Sequence, residues 1–151
     1  QKGITGIAEY DVGENMRLGG SLLYTTSDFR GRQMTAVHLR AGMSKGSSIL
    51  AQIGLFRESS KADDTSKIGD FLFLQSSARI DPGLFLLATF EHYADDLTRA
   101  GLRLYRVGPS LQYFPLQRIE VRVDFQITKS VGVPALDPDA YALLSQVHVA
   151  L

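Results

Sequence analysis

The sequence predicts an all-β fold made of about nine antiparallel strands that follow one another up and down. Apolar and polar residues alternate in segments of about ten residues along the whole chain, which is the pattern of a strand with one apolar and one polar face. No segment stands out with the 3.6-residue spacing of an amphipathic helix. Short turns and longer polar connections alternate between the segments, and this order favours a meander of hairpins.

The clearest strand is Arg118–Thr128, with the sequence RIEVRVDFQIT. Every second residue is apolar and every residue between them is polar, so the strand has one apolar face and one charged face. The other segments show the same alternation, although Pro109 lies inside the seventh of them. Because proline has no N–H to donate to the ladder, we expect a bulge there. The nine predicted strands are Gly3–Val12, Met16–Thr26, Met34–Met43, Ser48–Glu58, Ile68–Ile80, Leu84–Tyr93, Gly101–Phe114, Arg118–Thr128 and Ala140–Leu151.

The connections are sorted by length. Short ones cover residues 13–15, 44–47, 81–83 and 114–117, and longer polar ones cover 27–33, 59–67, 94–100 and 129–139. Short turns at one end and long loops at the other are typical of bacterial outer-membrane barrels. The sorting therefore favours a barrel that spans a membrane.

Composition excludes several classes of function. Lys and Arg number 16, as do Asp and Glu, so the basic excess of nucleic-acid-binding proteins is missing. There is no cysteine for a disulfide or a thiolate ligand. No apolar run reaches the roughly 18 residues of a transmembrane helix, whereas membrane strands hide their hydrophobicity in alternation.

The histidines do not suggest chemistry. His38, His92 and His148 show no metal-ligand spacing, and Ser145 and His148 are three apart on one strand, so they point to opposite faces. We expect no enzyme activity, no metal and no cofactor.

Three features favour lipid over a protein core as the neighbour of the apolar faces. The strands are about 10–13 residues long, against about 5–6 in soluble sheets. The opposite faces are charged and rich in glycine and serine, as in a water-filled lumen. Aromatic residues lie near strand ends, where membrane proteins place them at the lipid–water boundary. These aromatic residues are Tyr10, Tyr24, Tyr93, Tyr113, Phe114 and Tyr141.

The chain resembles the C-terminal portion of a Gram-negative outer-membrane porin-type barrel. The resemblance covers essentially the whole chain and rests on the segment VGPSLQYFPLQRIEVRVDFQ, the loop sorting and the last strand, YALLSQVHVAL. It implies a bacterial outer-membrane location, contact with the lipid bilayer, and recognition of the last strand by the barrel assembly machinery. The final residue is Leu151, where the family typically has an aromatic residue.

The strand count predicts that the barrel is incomplete. A bacterial barrel has an even number of strands and both ends in the periplasm, whereas nine strands place the two ends on opposite sides. We therefore expect residues 1–151 to form one transmembrane β-barrel domain that is a C-terminal segment of a larger barrel. A complete eight-stranded barrel is the alternative if the ragged first segment is not a strand.

The expected function is passive diffusion of small hydrophilic solutes or ions through a porin-like channel. One alternative is a structural barrel that sheathes or anchors a partner protein, and another is a soluble β-barrel that binds a small apolar ligand. A homo-oligomer, or a partner protein in a larger complex, is a further expectation. Charges on the inner face set ion selectivity or merely neutralise one another across strands. The residues expected to line the lumen are Arg17, Arg40, Arg79, Arg118, Glu120, Arg122 and Asp124. The residues expected to face the membrane are Ile119, Val121, Val123, Phe125, Val147 and Val149.

Overall fold

The structure, a computed structural model, describes residues 2–98, 102–132 and 140–150. It contains nine β-strands and a three-residue 3-10 turn at Ser44–Gly46. Among the described residues, no helix is long and apolar enough to cross a membrane. The strands are β1 (Lys2–Asp11), β2 (Met16–Thr26), β3 (Arg30–Gly42), β4 (Ser48–Ser60), β5 (Thr65–Asp81), β6 (Leu84–Ala94), β7 (Arg103–Leu116), β8 (Ile119–Val131) and β9 (Ala140–Val149).

All nine strands belong to one antiparallel sheet in the order β1 to β9, and each strand pairs with its neighbours in sequence. The predicted all-β, up-and-down architecture is therefore confirmed. The sheet is open, because β1 pairs only with β2, and β9 only with β8, in the part of the chain that the structure describes. Since the strands alternate in direction, β1 and β9 run the same way.

Two of the four connections expected to be long are short. Strand β3 begins at Arg30 and pairs with β4 up to Ser60, so the connection before it covers only residues 27–29. Strand β5 begins at Thr65, which leaves residues 61–64 as the next one. The polar flanks join the ladder because strand pairing uses backbone groups. Only the connections at 95–102 and 132–139 are longer, and residues 99–101 and 133–139 lie outside the described part.

The prediction of a bulge at Pro109 is wrong. Pro109 lies directly opposite Ala88 on β6, and the register between β7 and β8 is the same on either side of it. The irregularities lie instead near the short turns, between Arg79 and Asp81 and between Tyr113 and Leu116. The first of these turns contains Gly83 at φ +75°, a left-handed conformation that favours glycine.

The strands are staggered across the sheet. A row of directly paired residues leads from Tyr10, one residue before the end of β1, to Tyr141, eight residues before the end of β9. A stagger of about seven residues corresponds to about 23 Å, and eight strand spacings correspond to about 38 Å. The strands are thus inclined by about 30°, close to the roughly 35–45° tilt of β-barrels. The two ends of the sheet differ in their connections. The turn end carries the connections 12–15, 43–47, 82–83 and 117–118, and the opposite end is the loop end.

Candidate functional site: the two faces of the sheet

One face of the sheet, the apolar face, is covered by aliphatic and aromatic side chains. It is defined by the row of paired residues between Tyr10 and Tyr141, in which all nine members are apolar. Several of these side chains are open to the surroundings, with Tyr10 74% and Tyr141 66% exposed. The row consists of Tyr10, Leu18, Leu39, Ala51, Leu74, Phe90, Val107, Ile127 and Tyr141.

Ionisable residues are confined to the two ends of this apolar face. At the turn end there is Asp81, which closes β5 opposite Leu84. On β8, the next ionisable residue of this face after Ile119 is Lys129, ten residues later. The charge-free band is therefore about 33 Å long along the strand. The ionisable residues at the loop end of the apolar face are Lys2, Arg57, Asp70, His92, Arg103 and Lys129.

All the residues predicted to face the membrane lie on the apolar face. Ile119 pairs with Val149, and Val121 pairs with Val147. Val123 and Phe125 follow on the same side of β8, and both side chains are more than a third exposed. The sequence alternation therefore placed these residues together on one face, and their contact with lipid stays a prediction.

The opposite face, the polar face, carries the charged residues of β8 in a hydrogen-bonded cluster. Asp124 is only 5% exposed and accepts hydrogen bonds from Ser110 and from Arg122, whose Nε lies 2.8 Å from Asp124 Oδ1. One step toward the turn end, Gln112 donates to Glu120 at 2.7 Å. A buried carboxylate with two donors is well compensated, and this cluster fixes the side chains of neighbouring strands against each other.

A second polar cluster joins the first three strands. Glu9 lies 2.9 Å from the His38 ring, 3.3 Å from Arg17 and 3.6 Å from Arg40. His38 reaches Glu9 by crossing the strand between them, where Gly19 is paired with both residues. A Cβ at Gly19 would overlap the His38 ring. The glycine therefore makes the contact between β1 and β3 possible.

The third polar cluster lies at the loop end. Lys67 bridges two acids, at 3.4 Å from Glu58 and 2.6 Å from Asp95. Arg32 lies 3.4 Å from Glu58 on its other side, and the Tyr93 hydroxyl donates to Asp95 at 3.2 Å. Positive and negative groups thus alternate across the polar face and neutralise one another between strands.

The residues predicted to line the lumen lie mostly on this polar face, but the structure does not gather them into one site. Arg17 and Arg40 are directly paired near the turn end, far across the sheet from the β8 cluster. Arg79 lies on β5, opposite Phe85. Arg118 is an exception, because it lies in the turn before β8 rather than in the strand.

The sequence reading missed a reciprocal aromatic pair on the polar face. Gly54 pairs with Phe71, and Phe56 pairs with Gly69, so each ring lies over the glycine of the other strand. Phe56 is 1% exposed and stacks on Tyr93 at a centroid distance of 5.3 Å. The repeated Gly-x-Phe spacing at 54–56 and 69–71 was the available signal, since a glycine leaves room for a ring on the strand beside it.

The aromatic residues near strand ends divide between the faces. Tyr24 and Tyr141 lie toward the loop end of the apolar face, and Tyr10 and Tyr113 lie toward its turn end. Tyr93 and Phe114 instead point to the polar face. Tyr93 stacks on Phe56, and Phe114 packs edge-on against Phe85.

Each histidine lies beside one carboxylate: His38 beside Glu9, His92 beside Asp70 at 3.3 Å, and His148 beside Glu120 at 3.7 Å. In the described ranges, no three histidine or acidic side chains come together in a group that could hold a metal ion.

Comparisons with protein families, curated proteins and solved structures find no match to the chain.

Proposed function

We propose that the chain forms part of the wall of an outer-membrane, porin-like β-barrel through which small hydrophilic solutes or ions diffuse passively. The observation that carries this proposal is the separation of charge between the two faces. One face presents an unbroken row of nine apolar residues, and the other carries most of the charged side chains in the strands.

The relative exposure of the faces supports this orientation. The most buried polar side chains, Ser110 and Asp124, lie on the polar face at 5% exposure each, whereas most large apolar side chains on the other face are more than a third exposed. A soluble barrel that binds an apolar ligand needs the reverse arrangement. The strand inclination of about 30° is also close to the tilt of strands in β-barrels.

The directions of the edge strands show what closure requires. A membrane barrel leaves no backbone group unpaired toward lipid, and β1 and β9 each have an unpaired edge among the described strands. Because both run in the same direction, antiparallel closure needs an odd number of further strands between them. These strands come from additional sequence or from a partner chain.

A structural barrel that sheathes a partner protein is the second candidate. It is favoured by one observation, the aromatic patch on the polar face. Phe71 lies there one same-face residue pair from the buried Phe56, and Phe73 follows on the same face of β5. Apolar rings facing inward suit a lumen filled by protein better than one filled by water.

Single-channel recording distinguishes the two candidates. The full-length protein, including the strands that close the barrel, is purified in detergent and added to a planar bilayer, where it is expected to give stepwise ohmic conductance. Replacing Arg79 by Glu removes a polar-face cation and is expected to shift the reversal potential in a salt gradient toward cation preference, whereas Arg79→Lys keeps the charge and leaves the potential unchanged. Electrical silence of a correctly inserted protein that co-purifies with another polypeptide would favour the scaffold instead.

A further inference from the structure

We infer that four cations at the loop end of the apolar face bind the phosphate groups of anionic lipid headgroups. These cations, the basic belt, are Lys2, Arg57, Arg103 and Lys129. The inference rests on the proposed membrane function, because it requires the apolar face to be surrounded by lipid. It adds to that function a lipid ligand of defined charge.

The basic belt lies near the ends of its strands. Lys2 and Arg103 are the first residues of their strands, Lys129 is two residues from the end of β8, and Arg57 is three residues from the end of β4. All four side chains are exposed. They therefore lie where the apolar band ends, at the depth at which lipid headgroups meet a membrane protein.

The belt has no ion-pair partner among the described residues. Lys2, Arg57, Arg103 and Lys129 form no ion pair with any residue that the structure describes, although eight other strand cations lie on the polar face and six of those are paired. The six paired cations are Arg17, Arg32, Arg40, Lys67, Arg106 and Arg122.

Asp70 is the one acid among the described strand residues at the loop end of the apolar face, and it lies beside a histidine. Asp70 lies 3.3 Å from the His92 ring, and that ring packs against Tyr105 at a centroid distance of 4.8 Å. Asp70 and His92 are both partly covered, at 31% and 18% side-chain exposure. The loop end of the apolar face therefore presents a positive surface with its single carboxylate set back beside a histidine.

The spacing of the belt residues allows two of them to share one phosphate group. Lys129 pairs with Tyr105, and Arg103 lies two residues from Tyr105 on the same face, so the two Cβ atoms are diagonal neighbours about 7–8 Å apart. Both side chains are long enough to reach one phosphate, and the guanidinium group of Arg103 offers it a planar pair of donors. Arg57 on β4 lies three strands from Arg103 on β7, about 15 Å across the sheet, and therefore binds a separate headgroup.

The expected effect on lipid preference follows from charge. Each cation near an anionic membrane surface favours the anionic lipid about fivefold. Removing Arg103 and Lys129 together is therefore expected to reduce the preference at least tenfold, and added salt is expected to weaken the wild-type preference.

The test measures lipid selectivity in bilayers. The full chain is reconstituted into phosphatidylcholine vesicles with a trace of spin-labelled phosphatidylglycerol or spin-labelled phosphatidylcholine, and the motionally restricted fraction of each label is compared. The belt variant is Arg103→Gln/Lys129→Gln. Its matched control is Arg30→Gln/Arg79→Gln, which removes two unpaired cations from the polar face.

The inference predicts that wild type and control restrict phosphatidylglycerol more than phosphatidylcholine and that the belt variant loses this preference. Equal preference in the belt variant and the wild type would overturn it, as would a loss of preference in the control alone. Failure of the wild type to insert into any vesicle would overturn the proposed function as well. Insertion without preference would overturn the belt and leave the proposed function standing.

Discussion

Placing a charge at the centre of the apolar face is expected to destabilise the folded chain in a depth-dependent way. Val123 is 38% exposed and lies four residues from Ile119 and six from Lys129, or about 13 Å and about 20 Å along the strand. It is therefore near the middle of the charge-free band. An arginine at the midplane of a membrane barrel costs about 2–4 kcal/mol, whereas one at the border costs about 0–1 kcal/mol.

The prediction is that Val123→Arg lowers the free energy of unfolding by about 2–4 kcal/mol, a change of about 30-fold to about 900-fold in the folding equilibrium. Ile119→Arg, at the turn end of the same strand, is expected to cost about 1 kcal/mol or less. The assay is reversible urea unfolding in phospholipid vesicles, followed by circular dichroism because the chain has no tryptophan. Gln126→Arg introduces the same charge on the polar face of β8 and serves as the matched control. Equal stability of Val123→Arg and wild type, with loss of folding in Gln126→Arg, would refute the assignment of the faces.

Three further substitutions test the packing of the polar face. Gly69→Ala is expected to cost about 1–3 kcal/mol in the same unfolding assay, because its new Cβ overlaps a phenyl ring and a backbone oxygen. Gly20→Ala is the control, since its new Cβ meets only an ordinary contact, and it is expected to cost less. A cost for Gly20→Ala as large as that for Gly69→Ala would contradict this packing. Asp124→Ala is expected to cost about 1–3 kcal/mol, since it leaves two donors without their buried acceptor, and full stability of that variant would disprove the buried cluster. Gly19→Val is expected to displace His38 and speed hydrogen exchange throughout β1; unchanged exchange rates would show that the contact between β1 and β3 does not hold the edge strand.

The alternation of the sequence predicted the faces because the side-chain period of a strand is two residues. Consecutive hairpins then left little freedom in strand order, so nine strands and their sequence-neighbour pairing followed from the turns. Val121 and Val147 illustrate this, since both were expected on the apolar face and are directly paired there.

Strand ends were harder to predict because backbone pairing does not depend on side-chain polarity. Residues 30–33, with the sequence RGRQ, have polar side chains on both faces and read as a loop. They nevertheless pair with β2 and β4, and the loop sorting inferred from the sequence is correspondingly less pronounced. The bulge at Pro109 was wrongly predicted for a related reason. Proline lacks the N–H donor, but β7 keeps its register on both sides of this residue.

Contacts that cross strands depend on register and could not be read from one segment at a time. The bridge from His38 to Glu9 needs both residues and the intervening Gly19 in the same row. The stacking of Phe56 on Tyr93 joins β4 to β6 across Gly69. In each case the contact depends on the register between strands, which a single strand segment does not specify.

The most direct test of the central claim is to measure which medium surrounds each side of β8. Because the chain has no cysteine, single cysteines at positions 121 to 125 can be spin-labelled in the full chain in lipid bilayers. The account predicts that labels at 121, 123 and 125 relax faster with oxygen dissolved in the lipid, and that labels at 122 and 124 do not. An alternation of the opposite phase, or equal oxygen access at all five positions, would contradict it.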